Sequence, residues 1–247
     1  MMREHGPHPL AQNRLLAALP LDVYERLYPH LKPVSLALGT VIYEAHDALS
    51  HVYFPTSAIV SLLYTMENGR SAEMGIVGCD GLVGIAVFMG GDTTPNRAVV
   101  QSAGDAYKLE LKHFRDEVRR SGELHRLLLL YTQSLLTQMS QTAVCNRLHS
   151  VEQQLCRWLL LSHDRLESNE LIMTQELIAN MLGVRREGVS VAAHRIQRAG
   201  FIRYRRGHIT IVDRAGLESR VCECYQVVKK ECDRLLADAP NRSGLET

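Results

Sequence analysis

Arg186, Glu187, Ser190 and Val191 stand in one short stretch, GVRREGVSV, which runs from Gly183 to Val191. An arginine fork matches the O6 and N7 acceptors of guanine. A glutamate accepts from cytosine N4, a serine serves either kind of edge, and an apolar side chain meets the thymine methyl. Together these residues can read base edges, provided a helix holds them on one side. The residues that follow, AAHRIQRAG, read as helix. At about 3.6 residues per turn, Glu187, Val191, His194 and Arg198 cluster on one face. Arg186 and Ser190 flank that cluster on one side and Arg195 on the other. Val189, Ala192, Ala193 and Ile196 fall on the opposite face and are expected to pack inward.

A second helix must hold that inward face. Thr174 is a good N-cap for QELIANML, and Glu176 sits favourably in its first turn. A capping box would need Glu or Gln at 177, where this chain has Leu177. Leu177, Ile178, Met181 and Leu182 are expected to form its apolar face, and Ala179 permits close helix contact. Gly183 suits a left-handed C′ position. Two helices joined by so short a turn make a helix-turn-helix, whose second helix presents its N-terminal end to a groove. After it, FIRYRR and HITIV alternate across Gly207 as a two-stranded hairpin with a basic tip, so the unit reads as a winged helix. Thr174, Arg185, His194, Arg195, Arg198, Arg205, Arg206 and His208 are assigned to phosphate, which fixes register and makes affinity salt-dependent. The blander reading is a helical hairpin with a solvated basic face. Gly188 is costly inside a helix, by about 1 kcal/mol against alanine; close approach to DNA is the expected reason.

Charge supports a localised anionic partner. The chain of 247 residues has a net charge of +1. From Thr174 to Arg214 there are eight arginines against three carboxylates, so the rest of the chain is net acidic. A neutral protein with one basic segment calls for an anionic partner at that segment.

The length suits two domains, each with its own core. No secretory signal is read, and the longest apolar stretch, GLVGIAVFMGG, is far short of the roughly 18 residues of a membrane span. Six scattered cysteines fit a reduced, cytoplasmic setting. Residues 10–30 read as two short helices broken at Pro20. From Val34 to about Leu111, short β-branched or alternating runs recur (VSLAL, TVIYE, HVYFP, AIVSLLYT, SAEMGIV, RAVVQ, AYKLEL). Asn68-Gly69 is a two-residue hairpin signal. Seven or eight such strands predict a β-roll or jelly roll. After Lys112 the period becomes helical. Leu124, Leu128, Tyr131, Leu135, Gln138 and Thr142 follow 4-3-4-3-4 spacing, an a/d seam expected to meet a second subunit; the alternative is a helix buried within one chain. Helices follow at about 151–165, holding the lone Trp158 as core, and at about Leu217 to Leu236. The polar end PNRSGLET is expected to fray. The fold class is therefore α+β, with an N-terminal roll at 1–122, a long dimerisation and relay helix at 123–149, and a winged helix at 150–247.

The stretch TQELIANMLGVRREGVSVAAHRIQRAGFI, followed by YRRGHITIVDRAGLE, resembles the C-terminal domain of the Crp–Fnr superfamily of bacterial transcription regulators. The order β-roll, long helix, winged helix matches as well, so the resemblance covers nearly the whole chain. It implies a homodimer on a palindromic operator. It also implies base reading by Arg186 and Glu187 and, four residues on, by Val191, where many members carry arginine. Gly188 stands where Thr or Ser is frequent. In that family the roll can hold a cyclic nucleotide. The matching segments here are Gly81-Leu82-Val83-Gly84 and Arg97-Ala98. The glycines and the arginine are kept, but Leu82 replaces the ribose carboxylate and Ala98 the hydroxyl. A phosphate can still pair with Arg97, but a standard cyclic-nucleotide site is doubtful.

No other cofactor is evident. The first cysteine is Cys79, so an N-terminal iron–sulfur cluster is not expected. Haem ligation by His5, His8 or His30 is open but unsupported. Cys222 and Cys224, two apart on a predicted helix, point to opposite faces, so no shared metal is expected unless that helix is broken. No Gly-rich phosphate loop, nucleophile elbow, paired carboxylates or His-x-His with a downstream Glu appears, so the chain does not read as an enzyme. The expected partners are double-stranded DNA, a second copy of the chain and, for an activator, RNA polymerase; no membrane is expected. The rival readings are a small-molecule-binding roll with a protein-association tail, and a cupin-like enzyme.

Overall fold

The computed structural model describes residues 12–120, 122–166 and 168–236. His5, His8 and the PNRSGLET end lie outside them. Two short helices open the fold, α1 (Arg14–Ala17) and α2 (Leu21–Leu27), with Pro20 as the N-cap of the second. Seven strands follow: β1 (Lys32–Leu36), β2 (Val41–Tyr43), β3 (His51–Pro55), β4 (Ile59–Thr65), β5 (Ser71–Val77), β6 (Arg97–Ser102) and β7 (Gly104–Glu110). They pair antiparallel into two sheets, ordered β1-β7-β3 and β2-β6-β4-β5. This is the predicted roll. The β4–β5 hairpin forms, but not with a two-residue turn. Met66 and Arg70 face each other, and among the turn residues only Gly69 takes a positive φ, +79°. The loop is the three-residue kind, a type I turn closed by a left-handed glycine.

α3 (Leu111–Arg120) leads into α4 (Gly122–Leu148). Here the structure corrects the sequence reading. Leu124, Leu128, Tyr131, Leu135, Gln138 and Thr142 are all buried within the single chain. Leu124, Leu128 and Tyr131 join the core under the roll, and Leu135 joins the apolar residues of β4 and β5. The polar end of the seam is satisfied by this chain's own groups. Gln138 Oε1 accepts from Ile76 N (2.6 Å) and its Nε2 donates to Ile76 O (3.2 Å), so the side chain pairs with the edge strand β5. Thr142 Oγ1 accepts from Arg157 Nη1 (3.1 Å). The helix keeps another stripe toward solvent, at Leu129, Leu136, Val144 and Leu148; Leu136 is 58% exposed.

α5 (Val151–His163) starts at a capping box made by Ser150 and Gln153 and buries Trp158. β8 (Glu170–Ile172), absent from the sequence reading, adds a third strand to the hairpin of β9 (Ile202–Arg205) and β10 (His208–Ile211), in the order β8-β10-β9. Between them lie α6 (Gln175–Leu182) and α7 (Arg186–Arg198). The expected single C-terminal helix is broken into α8 (Arg214–Arg220) and α9 (Glu223–Leu236), because Val221 turns extended, with φ −70° and ψ 153°. α9 packs back along α4, with Cys232 and Leu236 in the same core as Leu128 and Tyr131. Ile59 and Ile76 of the roll sit in one core with Ile178, Val189 and Ile209 of the winged helix. The two halves therefore meet through buried side chains.

Candidate nucleic-acid interface

The interface is built on a capped helix pair. Thr174 Oγ1 accepts from Leu177 N (3.2 Å), which satisfies one of the free amides at the start of α6. Ile178, Met181 and Leu182 face inward as read, but Leu177 does not; it lies partly in solvent, 38% exposed. Gly183 closes α6 at φ +66°. Arg185 is the extended N-cap residue of α7 and makes no side-chain cap, so its guanidinium is free to face outward. Val189, Ala192, Ala193 and Ile196 are buried, which locks the opposite face of α7 outward.

An open concavity of about 700 Å³ lies between the start of α6, α7 and the hairpin tip. Thr174, Arg186, Ser190, His194 and Arg206 line it together, as do Gln175, Gln197 and Tyr204. The last three were missed by a reading that counted charges. Gln175 Oε1 accepts from Ser190 Oγ (2.5 Å), leaving the serine oxygen able to accept. Gln197 Oε1 accepts from Tyr204 N (2.6 Å), and the Tyr204 hydroxyl donates to Met173 O (2.8 Å). These bonds fix the hairpin to α7 and to the start of α6. Burial pushes the Tyr204 phenol up to about 12, so it stays a donor.

Arg206 and Gly207 both take positive φ, +50° and +83°, and Arg205 pairs with His208 across them. This two-residue turn puts Arg206 at the tip. Glu187, Val191, Arg198, Arg205 and His208 are exposed on the adjoining surface. Arg195 departs from the expected set, turning toward Glu152 of α5 at 3.8 Å. Gly188 is also explained differently. A Cβ there would lie 3.8 Å from Val151 Cγ2, so the position faces α5 across ordinary contact distance.

The residues matched to an effector pocket face three different environments. Leu82 is core, and its carbonyl accepts from the Tyr131 hydroxyl (3.0 Å). Ala98 is buried in a separate cluster with Val60, Leu62 and Leu135. Arg97 donates to Glu44 Oε1 (3.1 Å). Gly81 and Gly84 have packing reasons of their own. A Cβ on Gly81 would come within 2.6 Å of the Tyr131 hydroxyl, and Gly84 takes φ +98°. His30 is exposed, and its ring stacks on that of His113.

The break before α9 also overturns the premise that Cys222 and Cys224 point apart. Their sulfurs converge with Cys145 Sγ and a ring nitrogen of His149, all within 4.8 Å of one another. Among the described residues no helix is long and apolar enough to cross a membrane.

Comparison with known proteins agrees with this architecture. Residues 33–121 match the cyclic nucleotide-binding domain family, and residues 153–220 the Crp-like helix-turn-helix domain family. No curated protein sequence matches the chain. Among solved structures, the chain is similar to a crp/fnr-family transcriptional regulator from Eubacterium rectale ATCC 33656. That match has TM-score 0.65 and 18% identity, covering 84% of this chain and 97% of the other. It is also similar to FixK2 from Bradyrhizobium japonicum, with TM-score 0.64 and 16% identity, covering 78% and 98%. At these identities the structures speak for the fold; the two family matches, in this order along one chain, speak for more. The chain belongs to the Crp–Fnr superfamily of transcription regulators.

Proposed function

We propose that the protein is a homodimeric, sequence-specific DNA-binding regulator that reads a palindromic operator. One observation carries the reading: Arg186, Ser190, His194 and Arg206 line a single open concavity, with Thr174 at the helix start beside them. Arg186, Glu187, Ser190 and Val191 address base edges from the N-terminal half of α7. Thr174, Arg185, His194, Arg198, Arg205, Arg206 and His208 address phosphate around them. Arg195 reaches phosphate only by leaving Glu152. Val191 can meet a thymine methyl where an arginine would select guanine.

The second copy is proposed to dock on the solvent stripe of α4, Leu129, Leu136, Val144 and Leu148. These four apolar side chains lie on one side of the helix, the kind of stripe that a second helix covers. A two-fold pair sets its recognition helices about 34 Å apart, in successive major grooves. Residues 1–122, 123–149 and 150–247 then serve as sensor-like roll, dimer arm and reader. The pairing of Arg97 with Glu44 and the burial of Leu82 count against a standard cyclic nucleotide as signal. Should the protein activate transcription, RNA polymerase is the further partner.

The test is a gel shift on genomic fragments across a salt series. The wild type is expected to select a subset of fragments. An Arg186→Ala/Glu187→Ala variant is expected to lose that selection, at about 1–3 kcal/mol per lost base contact, while keeping salt-dependent non-specific binding. Equal binding of all fragments by both proteins would refute readout by α7.

A further inference from the structure

We propose that Cys145, His149, Cys222 and Cys224 form a tetrahedral, zinc-class metal site that ties the end of α4 to the joint between α8 and α9. The two pairs arrive from opposite directions. Cys145 lies in the last turn of α4 and His149 one residue past its end, where its N still donates to Cys145 O (3.0 Å), so the two keep helical i, i+4 spacing. Cys222 and Cys224 flank the point where the chain leaves one helix and enters the next. In a continuous helix their sulfurs would diverge; here Cys222 lies outside the helix, between the extended Val221 and the first residue of α9, Glu223, so the helical offset from Cys224 does not apply.

Two of the ligand-atom spacings match one small ion, and all four atoms lie within 4.8 Å of one another. Zinc–sulfur bonds of about 2.3 Å and zinc–nitrogen bonds of about 2.0 Å put tetrahedral ligand atoms about 3.5–3.8 Å apart. Cys145 Sγ lies 3.6 Å from Cys222 Sγ, and Cys224 Sγ lies 3.6 Å from His149 Nδ1. An iron–sulfur cluster spreads its ligands over several irons, which would hold these sulfurs farther apart. A disulfide needs a sulfur–sulfur distance of about 2.05 Å, and all six cysteines are free thiols.

Two surrounding groups fit a bound cation with three thiolates. His149 Nε2, the ring nitrogen facing away from the sulfurs, lies 3.5 Å from Glu223 Oε1. A carboxylate in that place fixes the tautomer that leaves Nδ1 free to ligate. Arg157 is buried beside Thr142, its Nε has no hydrogen-bond partner, and among the described residues no carboxylate lies within ion-pair distance of it. Three thiolates around a divalent ion leave one negative charge to balance it. Binding exchanges the thiol protons for the metal; the protons pass to solvent and no electron moves. The three cysteines are buried and no fourth position is left open, the arrangement of a structural rather than a catalytic metal.

The experiment uses the full-length chain, reduced and stripped with a chelator, and cobalt(II) as the probe. One cobalt per chain is expected, with tetrahedral visible bands and thiolate-to-cobalt charge transfer, both erased by one equivalent of zinc(II). Cys222→Ser and Cys224→Ser are each expected to weaken binding by more than the roughly 10- to 100-fold loss typical of changes to supporting residues. Glu223→Gln should fall within that range, and Cys79→Ser should change nothing. His149→Gln, at a partly exposed ring, repeats the test should a cysteine variant fail to fold. Absence of stoichiometric cobalt binding by the wild type would overturn the site, as would unchanged binding in folded Cys222→Ser and Cys224→Ser. None of these readouts involves DNA, so they stand or fall apart from the proposed operator binding.

Discussion

Glu73→Gln tests whether a neutral carboxyl helps join the two halves of the molecule. Glu73 of β5 is buried, and Ser61 Oγ lies 2.6 Å from its Oε2 and 2.7 Å from Gln101 Oε1. A hydroxyl has one proton and cannot donate to both. A protonated Glu73 resolves the conflict. The carboxyl donates to Ser61, Ser61 donates to Gln101, and Gln101 Nε2 donates to Ser162 Oγ of α5 (3.1 Å). Burial pushes this carboxyl up from 4.5 to about 7, outweighing the lowering by the Ser61 bond and by the Arg157 and Arg165 charges. The folded state therefore binds the proton more tightly than the unfolded chain. The stabilisation is full below about pH 4.5 and is lost as pH rises through about 7. At ~1.4 kcal/mol per tenfold change in proton affinity, the loss above pH 7 is about 3 kcal/mol. Glutamine keeps the chain of bonds, its Nε2 donating to Ser61, and cannot ionise. The variant should match the wild type near pH 4.5 and exceed it by about 3 kcal/mol near pH 8. Urea unfolding of both proteins across that range measures the difference. Parallel stability curves, with a gap that stays constant from acid to alkaline pH, would refute the reasoning.

Other substitutions separate the remaining assignments. Gly188→Ala should stabilise the fold by about 1 kcal/mol, raising the melting temperature by about 2–4 °C with DNA affinity unchanged; weakened DNA binding would mean that the position faces DNA and not Val151. Thr174→Ala should cost about 1 kcal/mol through the lost cap, read by chemical denaturation. Leu136→Asp should convert a dimer to a monomer in sedimentation velocity with little loss of monomer stability. Leu128→Ala, by contrast, should cost about 2–5 kcal/mol of stability while leaving the dimer face intact; the reverse pattern would restore the original seam as the interface.

The strands and the helix pair were legible because their signals are local. Alternation marks a half-buried strand, and Thr174 and Gly183 mark the ends of α6 whatever surrounds them. The seam shows where such signals stop. A 4-3-4 spacing says that Leu124, Leu128, Tyr131 and Leu135 share a buried face; it does not say what buries them. Gln138 and Thr142 already pointed to the answer, since polar side chains at seam positions need partners, and here these are the backbone of Ile76 and the guanidinium of Arg157. The effector segment fails for a related reason. Gly81 and Gly84 match the family pattern in letters, but Gly81 is required by the Tyr131 hydroxyl and Gly84 by its backbone angle, so their presence carries no weight for a ligand.

The cysteine cluster was hidden by one residue. VCECYQVV reads as continuous helix because none of its residues forbids one, and on a continuous helix Cys222 and Cys224 diverge. Tertiary packing decides otherwise. α8 must lie on α5, with Leu217 in the winged-helix core, while α9 must lie on α4, with Cys232 and Leu236 in the core under the roll. No single helix axis satisfies both, so the chain turns at Val221. That turn faces the end of α4, beside the short link to α5 that carries His149. The four ligand candidates thus meet where α4, the winged helix and the C-terminal helix come together, so an ion bound there would fix the angle between α4 and the winged helix.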